Sequence, residues 1–137
     1  MKLKKLNGKE VNFNINSYRI DWDCESASKF QTRVKDFFRP YWQGQIVLEE
    51  FRIPSTLWRI DFLNLNKKLA VEVNGNQHRE YNEHFHQGSR VKYLNQIKRD
   101  YKKEQWILLN GFLYCEVFPE DMPLTLEFFK LKYNIDI

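Results

Sequence analysis

Apolar and polar residues follow two periodicities along the chain, and these predict most of its secondary structure. In residues 11–15 apolar and polar positions alternate, which is typical of a short strand. Over residues 27–38 the apolar positions recur at helical spacing and form the buried face of a helix. These positions are Phe30, Val34, Phe37 and Phe38. Ser26 or Ser28 is expected to cap this helix, and Pro40 to end it, because proline disfavours helical geometry in the preceding residue.

The rest of the chain predicts a sheet with helices around it. Strands are expected over residues 45–51, 57–65, 69–73 and 112–118. A polar, irregular segment, residues 74–88, leads into a helix over residues 89–109. Its apolar stripe consists of Val91, Leu94, Ile97, Tyr101 and Leu108. With a closing helix over residues 123–132, the order β, α, β, β, β, α, β, α predicts a single α/β domain with a short mixed sheet flanked by helices.

Composition and charge fit one folded domain with an anionic partner. The 137 residues, 42% of them hydrophobic, suffice for one core, so residues 1–137 are taken as a single domain. The net charge of +4 favours nucleic acid, because neutralised phosphates release counterions. Cys24 and Cys115 form no CxxC pair, and no run of about 18 apolar residues occurs. We therefore expect reduced thiols, a cytoplasmic protein and no membrane partner.

Two carboxylates interrupt the apolar strands. Glu72 lies inside the run LAVEV, and Asp61 lies on the strand before it. A carboxylate on a buried strand is costly unless a cation or hydrogen-bond donors compensate it. Because adjacent strands lie roughly 5 Å apart, both acids can bind one divalent cation, for which oxygen ligands suit Mg²⁺ or Mn²⁺. The alternative for each acid is an ion pair with a basic neighbour such as Arg59.

A histidine follows these acids closely. Asn74 and Gly75 predict a tight turn that brings His78 back toward the carboxylates, where a neutral imidazole can take a proton from the attacking water. His84 and His86 come later in the same segment. A zinc site made of the three histidines has the spacing of no common zinc motif and no cysteine to support it. A phosphate contact by His86 is favoured over the zinc site. A loop histidine with no role is an equal alternative.

These residues resemble a known nuclease core. Asp61, a hairpin and Glu72-x-Asn74 look like the motif of the PD-(D/E)XK nucleases. The string EVNGNQH, with Asp100 and Lys103 further on, is similar to the very-short-patch-repair-like branch, whose motif is summarised as E, D, x, H, D. Strings such as YRIDWD, SKFQ and IKRD resemble small free-standing phage homing endonucleases. The resemblance covers nearly the whole chain and implies a restriction-endonuclease-like fold.

The resemblance also implies a role for each matching residue. Asp61 and Glu72 would bind Mg²⁺, with Mn²⁺ as an alternative, and His78 would handle the attacking water. Asp100 would orient that water from the following helix. On the first helix, Gln31 stands where the branch usually has a glutamate, so it can hydrogen-bond but adds no charge.

A second departure concerns positive charge. Asn74 stands where the general family has a lysine, so His78, Lys103 or Arg99 would have to stabilise the transition state. The candidate DNA-binding residues are Lys103, Arg99, Lys102, Asn74 and His86. The basic residues among them, with Lys98, lie near the end of the second predicted helix, where the alternative is a solvated surface.

The first functional hypothesis is therefore a Mg²⁺-dependent DNA endonuclease, of the phage homing kind, working in the cytoplasm of a bacterial host. A homodimer would explain cutting of both strands. The second hypothesis is a DNA-binding protein on a nuclease fold that no longer cuts, supported by the neutral Gln31 and Asn74. The third is a structure-specific nuclease that repairs junctions or mismatches, and a zinc-binding interaction module comes fourth.

Overall fold

The computed structural model describes residues 1–75 and 90–137, apart from the side chains of residues 90, 92 and 93. Within them the helices are α1 (Lys29–Trp42), α2 (Arg90–Leu109) and α3 (Leu126–Tyr133). The strands are β1 (Lys2–Lys4), β2 (Glu10–Asn12), β3 (Val47–Arg52), β4 (Arg59–Asn64), β5 (Leu69–Val73) and β6 (Leu113–Val117). None of these helices is long and apolar enough to cross a membrane.

The strands β3, β4, β5 and β6 form a mixed sheet in that order. β3 pairs antiparallel with β4 and β4 antiparallel with β5, whereas β5 and β6 run parallel. Parallel neighbours need a crossover connection, and α2 lies within it. The predicted α/β architecture with a short mixed sheet flanked by helices is therefore confirmed.

The core lies on both faces of this sheet. On one face, α1 and α3 bury Val34, Phe38 and Phe129 against strand residues such as Phe62 and Val71. On the other face, α2 contributes a second core. It contains Trp106 and Ile107 together with Leu48, Leu63 and Ala70. The sheet is thus the middle layer of a three-layer domain.

The N-terminal residues form a hairpin that the sequence predicted only in part. β2 overlaps the start of the expected strand over residues 11–15, but its partner β1 was not predicted, since Lys-Leu-Lys is too short to show alternation. Leu3 is buried in the core of α2. The indole Nε1–H of Trp106 donates to the carbonyl of Lys4 at 2.7 Å, and the Lys4 N–H donates to the Asn110 side chain at 2.8 Å. The hairpin therefore fastens the end of α2.

The prediction that Pro40 ends the first helix is wrong. Ser28 does cap α1, since its hydroxyl accepts the N–H of Gln31 at 3.0 Å, but the helix continues through Pro40 to Trp42. Trp42 is fully buried and stacks on Phe38 with ring centroids 3.9 Å apart. Packing of this pair outweighs the hydrogen bond that proline cannot make.

The apolar stripe of the second predicted helix does not face the sheet. Its members Val91, Leu94, Ile97, Tyr101 and Leu108 are all between 41% and 67% exposed. α2 instead packs through Trp106 and Ile107 near its end, and earlier in the same helix polar side chains line a cleft against the sheet. The apolar stripe of α2 thus stays exposed, and the helix instead lines a polar cleft.

Candidate active site

The two predicted carboxylates lie side by side. The register pairs Phe62 of β4 with Val71 of β5, and one residue further on it sets Asp61 opposite Glu72. The two carboxyl groups are within hydrogen-bonding reach of each other. The Val73 N–H donates to Asp61 Oδ2 at 2.7 Å, which fixes the aspartate on the edge of β5.

Burial makes both acids hold their protons more firmly than in water. Burial raises the pKa of Asp61, and the hydrogen bond from the Val73 N–H partly offsets this rise. Burial also raises the pKa of Glu72 well above its ordinary value, and the neighbouring Asp61 charge adds to this effect. Two desolvated carboxylates in contact are unfavourable when both are ionised, so they favour a retained proton, a bound cation or a nearby basic side chain.

Lys103 of α2 provides such a charge. Its Nζ lies 2.9 Å from Glu72 Oε1, and the two side chains are only 16% and 12% exposed. The ammonium lowers the pKa of Glu72 and so opposes the effect of burial. The sequence predicted Lys103 as a DNA contact, and the structure brings it to the carboxylates themselves.

A cleft of about 260 Å³ opens between α2 and the sheet at this point. From α2 it receives Gln96, Asp100 and Lys103, whose spacing of four and three residues puts them on one face of the helix. From the strands it receives Asp61 and Glu72. The structure therefore brings the predicted Asp100 into the same cleft as the two strand acids.

The cleft contains a further acid that the sequence analysis missed. Glu116 of β6 pairs in register with Glu72, lines the cleft and accepts a hydrogen bond from the Asn74 side chain at 3.2 Å. The signal was present in the sequence, since Leu69–Val73 and Leu113–Val117 both follow the pattern Leu-x-x-Glu-Val. Each places one acid inside an apolar strand, and the parallel register sets the two acids next to each other.

Asp61, Glu72 and Glu116 lie on the adjacent strands β4, β5 and β6 and form an acid row, which Gln31 approaches through β3. Its side-chain amide donates to Glu49 Oε2 at 3.1 Å and to Glu50 Oε1 at 3.0 Å. Glu50 has a positive φ of 53° and lies between paired residues of β3, across from Asp61. Its charge contributes to the raised pKa of Asp61. Glu50 is a second acid that the sequence analysis overlooked, although it also stands in an apolar strand.

A buried ion pair holds α1 against β3 beside Gln31. Lys35 is 2% exposed, and its Nζ lies 2.9 Å from both Glu49 Oε1 and the carbonyl of Cys24. The Ser26 hydroxyl donates to the other oxygen of Glu49. With these donors and Gln31, both oxygens of the Glu49 carboxylate are bonded, so the network fixes where Gln31 meets β3.

The other predicted basic contacts lie outside the cleft lining. The side chain of Arg99 is 48% exposed, and its Nε lies 4.0 Å from Asp100 Oδ1. Lys102 precedes Lys103 by one residue and so projects about 100° away from it around the helix. Arg99 thus belongs to the exposed surface of α2, whereas Lys102 is half-buried outside the described lining of the cleft.

The histidine predictions fall on a different part of the chain. His78, His84 and His86 lie outside the described residues, so their predicted roles stay predictions. Within residues 1–75 and 90–137, no group of three or more His, Cys, Asp or Glu side chains is arranged to hold a metal ion. Asp61 and Glu72 together fit Mg²⁺, which is commonly held by one or two carboxylates while water and phosphate complete its coordination.

Comparisons of the chain with protein-family models, with curated proteins and with solved structures found no match.

Proposed function

We propose that the chain is a Mg²⁺-dependent endodeoxyribonuclease on a restriction-endonuclease-like domain, of the phage homing kind. The observation that carries this proposal is the contact between Asp61 and Glu72 on adjacent strands, beside Lys103 in an open cleft. The hairpin of β4 and β5 that bears the two acids is the arrangement expected from the resemblance to PD-(D/E)XK nucleases.

The charge of the cleft supports phosphate binding through a cation. Its described lining includes Asp61, Glu72, Asp100 and Glu116, against Lys103 as a basic member. An acidic cleft repels a phosphodiester unless cations intervene, yet the whole chain carries a net charge of +4. A basic protein with an acidic cleft is suited to a polyanion that is bound outside the cleft and reacts inside it.

Each residue then has a definite task. When bound, Mg²⁺ supplies polarisation of the scissile phosphate and a lower pKa for the attacking water, and Mn²⁺ can replace it. Asp61 and Glu72 would hold the cation, His78 would accept the proton of the water, and Asp100 would orient that water. Gln31 would hold Glu50 in place beside Asp61. The proposed DNA contacts are Lys103, Arg99, Lys102, Asn74 and His86.

A cleavage assay tests the proposal. Supercoiled plasmid is incubated with the protein and Mg²⁺ or Mn²⁺, beside Asp61→Asn, Glu72→Gln and the exposed control Lys67→Met. We expect the wild type and the control to cut equally, and each acid variant to lose activity by about a hundredfold or more, since each removes a cation ligand. Cutting by Asp61→Asn at the wild-type rate would show that the site is misassigned.

One observation favours a second candidate, a DNA-binding protein that does not cut. Gln31 is neutral, and its amide donates to Glu49 and Glu50 rather than adding a charge to the cleft. DNA binding by the intact protein without cleavage in either metal would support this candidate. Faster cutting of four-way junctions or mismatched duplexes than of linear duplex would instead indicate a structure-specific repair nuclease.

A further inference from the structure

We infer that the ammonium of Lys103 competes with the divalent cation for Glu72, so that Lys103 sets how tightly the cleft binds that cation. The competition depends on the proposed cation site at Asp61 and Glu72. It adds a group within the protein, the Lys103 ammonium of α2, that competes with the cation for Glu72.

Contact geometry is the first argument. Lys103 Nζ lies 2.9 Å from Glu72 Oε1, so the two charged groups are in direct contact as an ion pair. An ammonium at this distance occupies the oxygen that would otherwise face a cation. A divalent cation bound to the same oxygen would bring two positive charges within a few ångströms of each other.

Burial makes that repulsion strong. The side chains of Lys103 and Glu72 are 16% and 12% exposed, so little water screens the charges. Exposed ion pairs exchange their partners at almost no cost, whereas desolvated ones do not. A cation that takes Glu72 Oε1 must therefore displace the ammonium.

The helix offers the displaced ammonium another partner. Asp100 lies three residues before Lys103 on the same face of α2, and both line the cleft. The flexible stem of a lysine allows its charge to move while the helix stays in place. After displacement the ammonium remains in the cleft, where the proposed phosphate contact needs it.

Binding of Mn²⁺ without DNA tests this competition. The free ion is measured by electron paramagnetic resonance at pH 8.5 for the wild type, Lys103→Met, Lys103→Arg and the exposed control Lys67→Met. We expect Lys103→Met to bind Mn²⁺ at least about tenfold more tightly than the wild type does, because a desolvated positive charge near the ion is removed. Lys103→Arg keeps the charge and should bind Mn²⁺ no more tightly than the wild type does, whereas Lys67→Met, which is remote from the cleft, should stay within about twofold of the wild type.

Equal or weaker Mn²⁺ binding by Lys103→Met overturns the competition while leaving the proposed cation site intact. Absence of Mn²⁺ binding from every variant overturns both. If Lys103→Met does not fold, the wild type still decides the matter. The Cε signal of Lys103, assigned through Lys103→Arg, should then shift in NMR spectra as Mg²⁺ is added, and a signal that stays fixed while Mg²⁺ binds contradicts displacement.

Discussion

Single residues in the cleft oppose the stability of the fold. Asp61 and Glu72 are desolvated, they contact each other, and burial raises the pKa of both. A group with these properties is rarely retained for stability, because a neutral side chain of the same shape would be easier to bury. Perturbed acids in a cleft are instead typical of binding and catalytic sites.

The raised pKa of Asp61 predicts how stability depends on pH. The unfolded chain releases this proton at the ordinary carboxyl pKa of about 3.9, and the folded protein releases it only at higher pH. Between those two pH values folding becomes less favourable as pH rises, and above them the full cost persists.

Asp61→Asn should therefore be more stable than the wild type at pH 8, by on the order of 1 kcal/mol. The difference should vanish below about pH 3.9, where the carboxyl is protonated in both states. Urea unfolding at several pH values measures it, with the exposed Asp36→Asn as the control. A gap that is unchanged by pH would mean that burial of the charge is not its cause.

At the level of elements, α1 is secured at both of its ends. Ser28 caps its first turn, and Trp42, stacked on Phe38, anchors the last one beyond Pro40. Between them the buried pair of Lys35 and Glu49 fastens the helix to β3. The position of Gln31 near the acid row thus depends on the helix as a whole.

Removal of the cap should weaken this helix measurably. Ser28→Ala leaves the Gln31 N–H without its acceptor and is expected to lower the free energy of unfolding by about 1 kcal/mol. Ser28→Asp, which restores an acceptor, should recover most of the loss. Both are measured by urea unfolding, and an alanine variant as stable as the wild type would show that the cap contributes nothing.

The sequence predicted elements better than it predicted which of their faces are buried. Periodicity located the helices and the sheet strands to within a few residues, because burial on one face imposes that period. It could not tell that α2 would expose its apolar stripe, since this depends on what the neighbouring sheet offers. The sequence likewise identified Asp61 and Glu72 as candidates but not Glu116. Glu116 lies next to Glu72 only because of the register between the parallel strands β5 and β6.

The contact of Lys103 with Glu72 was also beyond reach of the sequence. It joins residues on a helix and a strand, and nothing local relates the two. Basic residues near the end of a helix are usually solvated, so Lys103 resembled its neighbours Arg99 and Lys102. Only the packing of α2 on the sheet separates the one that enters the cleft from those that stay outside.

For the molecule as a whole, the acidic cleft opposes the basic net charge, and this predicts how the proposed binding of DNA responds to cations. Added NaCl should weaken binding, because released counterions favour the complex less at high salt. Ca²⁺, used in place of Mg²⁺, should strengthen binding by neutralising the cleft.

Fluorescence anisotropy with a labelled duplex measures both effects, the NaCl effect by varying the salt concentration and the Ca²⁺ effect at fixed ionic strength. The Ca²⁺ effect should disappear in Asp61→Asn, whereas the NaCl effect should persist, because the outer basic surface is unchanged. An equal response of wild type and variant to Ca²⁺ would place the ion somewhere other than the cleft.

The hairpin of β1 and β2 has a consequence for how the chain reaches its final form. Lys4 is bonded to Trp106, 102 residues further along the chain. During synthesis the hairpin therefore leaves the ribosome long before the helix that it fastens, and the core around Trp106 stays open until α2 has emerged. The hairpin is thus made well before the helix that it contacts, and amide protection at Lys4, whose N–H donates to Asn110, should report completion of the fold.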